Sequence, residues 1–214
     1  MQALRVIEKV ASKIAPGRAP FFTTAQVVKA LEIIGAEKGV GRKKLSEALG
    51  LGEGTIRTLV KHLKNEKLVK VSRAGITLSN FGQKIFTNLR SRISEEVEIP
   101  KSPLTVGPFN IAVLIRNAAT SIKYGVEQRD TAIRAGALGA TTLIFSRNKL
   151  IIPGVNEDIF QNIQPIHDML ISALKPSEND VIIIGSANEK RAAELGAKTA
   201  ALELLKSTTN NTSM

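Results

Sequence analysis

The chain contains no cysteine, which excludes disulfide bonds, thiol catalysis and cysteine metal sites. Tryptophan is also absent, and aromatic residues make up only 4% of the sequence. The cores must therefore be built mainly from Ile, Leu, Val and Ala. The two histidines, His62 and His167, lie far apart in the sequence. We therefore predict no metal site, no cofactor and no catalytic residue.

Long apolar runs are missing as well. No run approaches the ~20 residues that a membrane-spanning helix requires. The first predicted helix lacks the apolar core of a signal peptide. Together with the absence of cysteine, these features predict a cytoplasmic protein that has no membrane partner.

Positive charge is plentiful and unevenly distributed. The chain has 214 residues, 43% of them apolar, which is enough for two modest domains. Its net charge is +11, and residues 1–98 hold 18 Lys and Arg against 9 Asp and Glu. Residues 99–214 hold 12 against 10. The basic excess predicts that a polyanion binds the N-terminal half.

Residues 41–79 predict a helix, a tight glycine-containing turn, a second helix and a small β-hairpin. The second helix buries one face, because its apolar residues recur at spacings of three, four and seven: Ile56, Leu59, Val60 and Leu63. Its opposite face carries threonine, arginine, lysine and His62. Residues 68–72 and 76–79 predict the two strands of the hairpin.

This stretch resembles the winged-helix form of the helix-turn-helix family, which implies that the second helix enters the DNA major groove and that the hairpin, or wing, rests on the backbone or minor groove. The residue types on the outer face of the second helix are consistent with DNA binding, since they offer hydrogen bonds to base edges and charge to phosphates. For base edges and nearby phosphates we predict Thr55, Arg57, Thr58 and Lys61. For phosphates we predict Arg42, Lys43, Lys44 and Lys64, with Arg73 as the wing contact. The alternative is a winged helix used for protein contacts, with a solvated basic face.

Three further helices are expected in this half. They cover residues 2–14, a segment from Thr23 to about Glu37 that opens with a capping box of Thr23 and Gln26, and residues 80–94. The last helix has an apolar stripe of Phe81, Ile85, Phe86, Leu89 and Ile93. Such a stripe must be covered, either by its own domain or by a second copy. We predict a homodimer that forms through this helix, the second domain or both.

The predicted domain organisation follows from composition. Residues 1–95 form the winged-helix domain, and the proline-containing segment 96–108 is a linker. Residues 109–206 alternate strand and helix in the order β-α-β-β-α-β-α, which predicts an α/β domain with a small mixed sheet. Residues 207–214 are a flexible tail. The fold class is therefore mixed: an α-rich winged helix-turn-helix followed by an α/β domain.

One charged cluster stands out in the second domain. Arg116 follows the first strand, and Glu127, Arg129 and Asp130 lie at the start of the next helix. We predict that the buried stripe of this helix consists of Val126, Ile133 and Ala137. A strand end beside a helix N-terminus is a common place for ligands in α/β domains. The four charged residues are our candidates for an effector pocket. The alternative is a structural Arg–Asp ion pair that locks helix to sheet.

A wider resemblance covers nearly the whole chain. The chain pairs LGLGEGTIRTLVKHLKNEKLVKVSRAGITLS with KYGVEQRDTAIRAGALGATTLIF, and this pairing is similar to a family of archaeal winged-helix proteins with an uncharacterised C-terminal domain. The resemblance implies a regulator-like protein. We predict a DNA-binding transcriptional regulator whose partner is double-stranded DNA, and whose second domain senses a small-molecule effector or mediates dimerisation. The alternatives are a metabolic enzyme with an accessory winged helix, which the absence of a nucleophile, base and metal-ligand set disfavours, and an RNA-associated module, which the few aromatic residues disfavour.

Overall fold

In the computed structural model of the protein, residues 2–12, 22–155 and 159–211 are described. The chain divides into two compact units, Met1–Leu89 and Arg90–Met214. The first is α-rich with a small hairpin, and the second combines helices with a five-stranded sheet. The predicted fold class is therefore confirmed.

The N-terminal unit contains the predicted succession of helices and hairpin. Its elements are α1 (Gln2–Ala11), α2 (Thr24–Ala36), α3 (Arg42–Leu49), α4 (Glu53–Asn65), β1 (Val69–Ser72), β2 (Gly75–Leu78) and α5 (Asn80–Arg90). Both hydrogen bonds of the capping box between Thr23 and Gln26 are present at the start of α2. Helix α1 ends at Ala11 rather than residue 14, and residues 13–21 lie outside the described part of the chain.

The wing is fixed to the body of its unit by a backbone crossing. Val40, between α2 and α3, exchanges two hydrogen bonds of 2.9 Å with Ile76 of β2. Gly39 and Gly75 both have positive φ, at 85° and 114°. A Cβ atom on Gly39 would lie 2.1 Å from the carbonyl oxygen of Ala74, so only glycine permits the approach. This crossing holds the wing beside the start of α3.

The apolar stripe of α5 is mostly covered within its own unit. Ile85 and Leu89 are buried, and the Phe86 ring lies over Gly35 of α2, 3.0 Å from where a Cβ would stand. Phe81 remains 38% exposed. Helix α5 ends at Arg90, before the residue 94 that we predicted. Ile93 belongs to the second unit, where it forms an isolated β-bridge with Ile115. The helix therefore covers the core of its own unit.

The C-terminal unit is built around an antiparallel sheet. Its elements are β3 (Val97–Ile99), β4 (Phe109–Ile115), α6 (Val126–Arg134), β5 (Gly139–Ser146), β6 (Lys149–Ile151), α7 (Gln164–Leu174), β7 (Val181–Ala187) and α8 (Lys190–Asn211). The strand order is β3-β4-β7-β5-β6, and every neighbouring pair is antiparallel. Our expectation of a mixed sheet is therefore wrong. Strands β4 and β5 do run parallel across α6, but β7 lies between them and pairs antiparallel with both.

The segment that we predicted as a linker belongs in part to this sheet. Val97–Ile99 pairs with β4, and the amide of Ser94 donates to the carbonyl of Leu114 at 2.9 Å. Sequence composition missed this short strand because its neighbours are proline and charged residues. At the other end, α8 continues to Asn211, so most of the predicted tail 207–214 is helical, and residues 212–214 lie outside the described part.

Helices cover both faces of the sheet. On one face α7 packs over a core that includes Leu114, Leu143, Leu170 and Ile182. On the other face α8 packs on β4 and β7, and α6 packs on α8 and β5. Pro165 lies in the first turn of α7 and does not kink it. Ser186 is buried within β7, four residues before α8 begins, so it does not cap that helix.

Candidate nucleic-acid interface

The nine residues predicted to contact DNA lie on α3, α4 and the wing. Eight are exposed and Thr55 is half-buried. They fall into three groups: the first turn of α3 (Arg42, Lys43, Lys44), the outer face of α4 (Thr55, Arg57, Thr58, Lys61, Lys64) and the turn between β1 and β2 (Arg73). All nine are therefore available to an external partner.

Burial of the opposite face fixes which side of α4 points outwards. Ile56, Leu59 and Leu63 are fully buried, so the helix cannot rotate without exposing them. His62 is a correction to our prediction, because it is also buried rather than on the outer face. Its Nδ1 atom lies 2.8 Å from the carbonyl oxygen of Val10, and its ring meets Phe22 edge-on. His62 therefore ties α4 to α1 instead of facing solvent.

A groove runs between the start of α3, helix α4 and the wing. It has a volume of about 490 Å³ and is lined by Val40, Gly41, Arg42, Arg57, Val60, Val71, Ser72, Gly75 and Ile76. A hollow of about 330 Å³ is lined by Gly41, Arg42, Lys43, Glu53 and Arg57. The structure thus brings Arg42 and Arg57 together beside the wing, and Lys43 joins them in the second hollow. Sequence reasoning missed Val71 and Ser72, whose exposure on the wing gives no distinctive signal in the sequence.

Electrostatics at the start of α3 favour an anion. Three cations, Arg42, Lys43 and Lys44, occupy its first turn, which contains no acidic residue. The N-cap, Gly41, provides no side-chain hydrogen bond, so free backbone N–H groups and the positive end of the helix dipole add to the same charge. One cation is already engaged, since Lys44 pairs with Glu37 at 2.5 Å. A phosphate is an anion that would satisfy the remaining groups.

The remaining predicted residues extend this surface. Thr58 donates its hydroxyl to the carbonyl of Gly54 at 3.2 Å within α4. Lys61 and Lys64 follow on later turns, and Arg73 lies at the tip of the wing. Charge is concentrated in the same unit, because Met1–Leu89 contains 16 Lys and Arg against 6 Asp and Glu. The second unit is almost neutral, with 14 against 13.

The charged cluster predicted in the C-terminal unit is divided between two places. Arg116 pairs with Asp180 at 2.6 Å and donates to the carbonyl of Lys175 at 3.0 Å. Asp180 is buried and also accepts from the backbone amides of Asn117 and Ser177, both at 2.8 Å. This arrangement ties the end of β4 to the start of β7. Sequence reasoning missed Asp180, because its importance depends on strand pairing.

The other three predicted residues lie on α6, apart from the contacts between Arg116 and Asp180. Arg129 pairs with its neighbour Asp130 at 3.0 Å, with both side chains about half exposed, and Glu127 is exposed. The contacts described for Arg116 include none of these three. The predicted buried stripe is wrong at Val126 and Ile133, which are 43% and 45% exposed, while Ala137 is buried as predicted. Gln128 and Ala132 face inwards instead. Tight packing on α8 explains this, since Ala132 and Ala137 lie against Gly196.

His167, the second histidine, packs on its own unit. Its ring meets Phe160 edge-on at 5.2 Å, and its Nδ1 atom lies 3.0 Å from Asp168. The hydrogen bonds from His167 and then from Gln164 lower the pKa of the Asp168 carboxyl. Across residues 2–12, 22–155 and 159–211, no group of three or more His, Cys, Asp or Glu could hold a metal ion. Within the part of the chain that the structure describes, no helix is long and apolar enough to span a membrane.

Comparison with known proteins agrees with the division of the chain into two units. Residues 26–93 match the family described as the CggR N-terminal DNA binding domain, and residues 106–204 match a domain of unknown function (DUF4443). A hypothetical protein from Pyrococcus horikoshii OT3 has a similar structure, with a TM-score of 0.71 and 26% identity over 87% of this chain and 94% of its own. No curated protein matches the chain. The chain therefore joins a segment that matches a helix-turn-helix-type DNA-binding family to a segment that matches a domain of unknown function, which is consistent with its resemblance to winged-helix regulator-like proteins.

Proposed function

We propose that the protein is a transcription regulator that binds double-stranded DNA as a homodimer, with α4 in the major groove and the wing on the adjacent backbone. The observation that carries this proposal is the convergence of Arg42 and Arg57 on one exposed groove beside the wing, with Lys43 lining a hollow that shares both arginines. This groove lies in the unit that matches a DNA-binding family. A merely solvated basic surface does not require such convergence.

In this binding mode α4 supplies the contacts that read sequence. Arg57 projects from the exposed face of the helix and can donate two hydrogen bonds to the O6 and N7 atoms of a guanine. Thr55 and Thr58 lie on neighbouring turns and fit hydroxyl or methyl contacts with base edges. Lys61 is placed farther along the helix, where a phosphate or a base edge is within reach of its long side chain.

Phosphate contacts would set the position of the protein on the duplex. The cationic first turn of α3 and its free N–H groups suit one phosphate. Lys64 at the end of α4 and Arg73 on the wing suit phosphates on either side. The wing is held to the body by the hydrogen bonds between Val40 and Ile76, so its contact would be made by a rigid element.

For the C-terminal unit we propose assembly rather than effector sensing. Arg116, the first residue of the predicted pocket, is taken up by the structural contact with Asp180. The α6 residues of that pocket lie on an exposed helix face with two large apolar side chains. A helix face of this kind favours contact with another protein surface. No enzymatic reaction forms part of the proposal.

Binding to duplex DNA tests the proposal directly. Fluorescence anisotropy with a labelled random-sequence duplex at low salt should show binding, and an unlabelled duplex should compete better than a single strand. Genome-wide footprinting would then identify the preferred site. Absence of duplex affinity at low salt would reject DNA binding. A metabolite screen by thermal shift checks the sensing alternative, and a compound that stabilises the protein and alters its DNA affinity would replace assembly with sensing.

A further inference from the structure

Helix α6 presents an outward face whose composition suits contact with an identical surface. Val126 and Ile133 form its apolar centre, at 43% and 45% exposure. Arg129 and Asp130 flank them, joined to each other by a 3.0 Å ion pair. We infer that this face is the contact between two copies of the chain, with the two α6 helices packed antiparallel about a twofold axis. The inference rests on the proposed homodimer and assigns its surface.

The orientation of α6 makes this face available. Gln128 and Ala132 point inwards, and Ala132 lies against Gly196 of α8. Residues 126, 129, 130 and 133 are spaced by three, four and seven, so they share one side of the helix. That side lies opposite the buried one. Covering Val126 and Ile133 together would remove apolar surface from water, which favours association through this side.

Charge complementarity selects a second copy as the occupant. In an antiparallel pair with its axis between residues 129 and 130, Val126 meets Ile133 of the partner subunit. Arg129 then meets Asp130 of the partner subunit, and the reciprocal contact follows from the symmetry. The face is therefore complementary to itself in both its apolar and its charged positions. Nucleic acid fits less well, because Asp130 and the adjacent Glu127 would repel phosphates.

Exposed apolar side chains also lie just before and just after the helix. Tyr124, before α6, is 71% exposed, and Leu138, after it, is 47% exposed. A contact made through one helix face belongs to the low end of interface sizes, so we expect a dimer that forms at micromolar concentrations. Such a dimer would carry two winged-helix units and recognise two half-sites. Binding to DNA with paired half-sites should therefore strengthen dimer formation.

Two variants of the full-length chain, each with the charge of one α6 residue reversed, test the inference. Arg129→Asp places like charges opposite Asp130 of the partner subunit, and Asp130→Arg does the same opposite Arg129. Sedimentation should show that either variant alone dimerises at least about tenfold more weakly than the wild type. An equimolar mixture of the two variants should recover the dimer, because the chain with two acids then faces the chain with two arginines. Lys101→Asp, an exposed reversal outside α6, should leave dimerisation unchanged.

Recovery by the mixture separates an interface from damage to the fold, since two misfolded chains would not restore each other. If the wild type dimerises and neither reversal weakens the dimer, the α6 inference is wrong and the homodimer forms through another surface. Failure of the mixture to dimerise would overturn the antiparallel pairing. A wild type that stays monomeric with and without duplex DNA would overturn both the inference and the proposed homodimer. A duplex titration run in parallel reports DNA binding independently.

Discussion

Arg57 and Glu53 are one turn apart on α4, and the Nη2 atom of Arg57 lies 3.9 Å from the Oε2 atom of Glu53. Both side chains are well exposed, at 66% and 72%, so water screens the pair and it contributes little to stability. The guanidinium can therefore leave the carboxylate for a base or phosphate at small cost.

Replacing Arg57 should reduce both affinity and sequence preference. Arg57→Ala is expected to weaken specific binding by about 1–3 kcal/mol, because a bidentate contact to a guanine is lost. Anisotropy titrations with the preferred duplex and a scrambled duplex measure this change. Lys43→Ala is the matched control and should weaken binding to both duplexes about equally. An equal, sequence-independent loss in the two variants would show that Arg57 does not read bases.

Removing the acid beside Arg57 should strengthen binding. Glu53→Gln deletes a negative charge from the hollow that Arg42, Lys43 and Arg57 line, and we expect duplex affinity to rise about two- to fivefold at low salt. Glu47→Gln, on the exposed side of α3, is a comparison outside the hollow and should give a smaller change. Unchanged or lower affinity for Glu53→Gln would indicate that DNA does not approach this hollow.

Salt should weaken binding steeply. The proposed dimer makes roughly 5–8 phosphate contacts, so a plot of log K against log salt is expected to have a slope of about −4 to −7. Anisotropy titrations at several concentrations of potassium chloride measure the slope. Lys43→Ala in both subunits should make the slope shallower by about 2. A slope close to zero would contradict binding through phosphates.

The crossing at the base of the wing should not tolerate a methyl group. Gly39→Ala would place a Cβ 2.1 Å from the carbonyl oxygen of Ala74 at a φ of 85°. We expect it to destabilise the N-terminal unit by about 2–4 kcal/mol and to weaken DNA binding by displacing the wing. Gly41→Ala is the control, because nothing lies within 4 Å of the Cβ it would add. Urea unfolding of both variants measures the difference, and equal stability would contradict the close approach.

Asp180 should matter more to stability than the charged residues of α6. Asp180→Ala removes the acceptor of three hydrogen bonds at a buried position, and we expect a loss of about 2–4 kcal/mol from the C-terminal unit. Arg129→Ala breaks a half-exposed pair and should cost at most about 1 kcal/mol in dilute, monomeric protein. Hydrogen exchange of the β4 and β7 amides under urea measures both. Equal effects would contradict the structural role of Asp180.

The sequence by itself determined most of the N-terminal unit. The period of the apolar residues on α4 identified its buried face, and the capping box of Thr23 and Gln26 marked the start of α2. These features are local, because each depends on residues within one or two turns of the same helix. The first strand of the second unit was also predicted to end just before Arg116, as Phe109–Ile115 does, since an apolar run such as residues 111–115 is typical of a strand covered on both faces.

Tertiary structure alone decided which groups meet across the chain. The partner of Arg116 is Asp180, 64 positions away, and only the pairing of β4 with β7 brings them together. His62 follows the charged pattern of α4 but is buried by contacts with Val10 and Phe22. On α6, close packing of small residues against α8 turned Val126 and Ile133 outwards. Periodicity shows that a helix has an apolar side, but the neighbours that pack against the helix decide which side is covered.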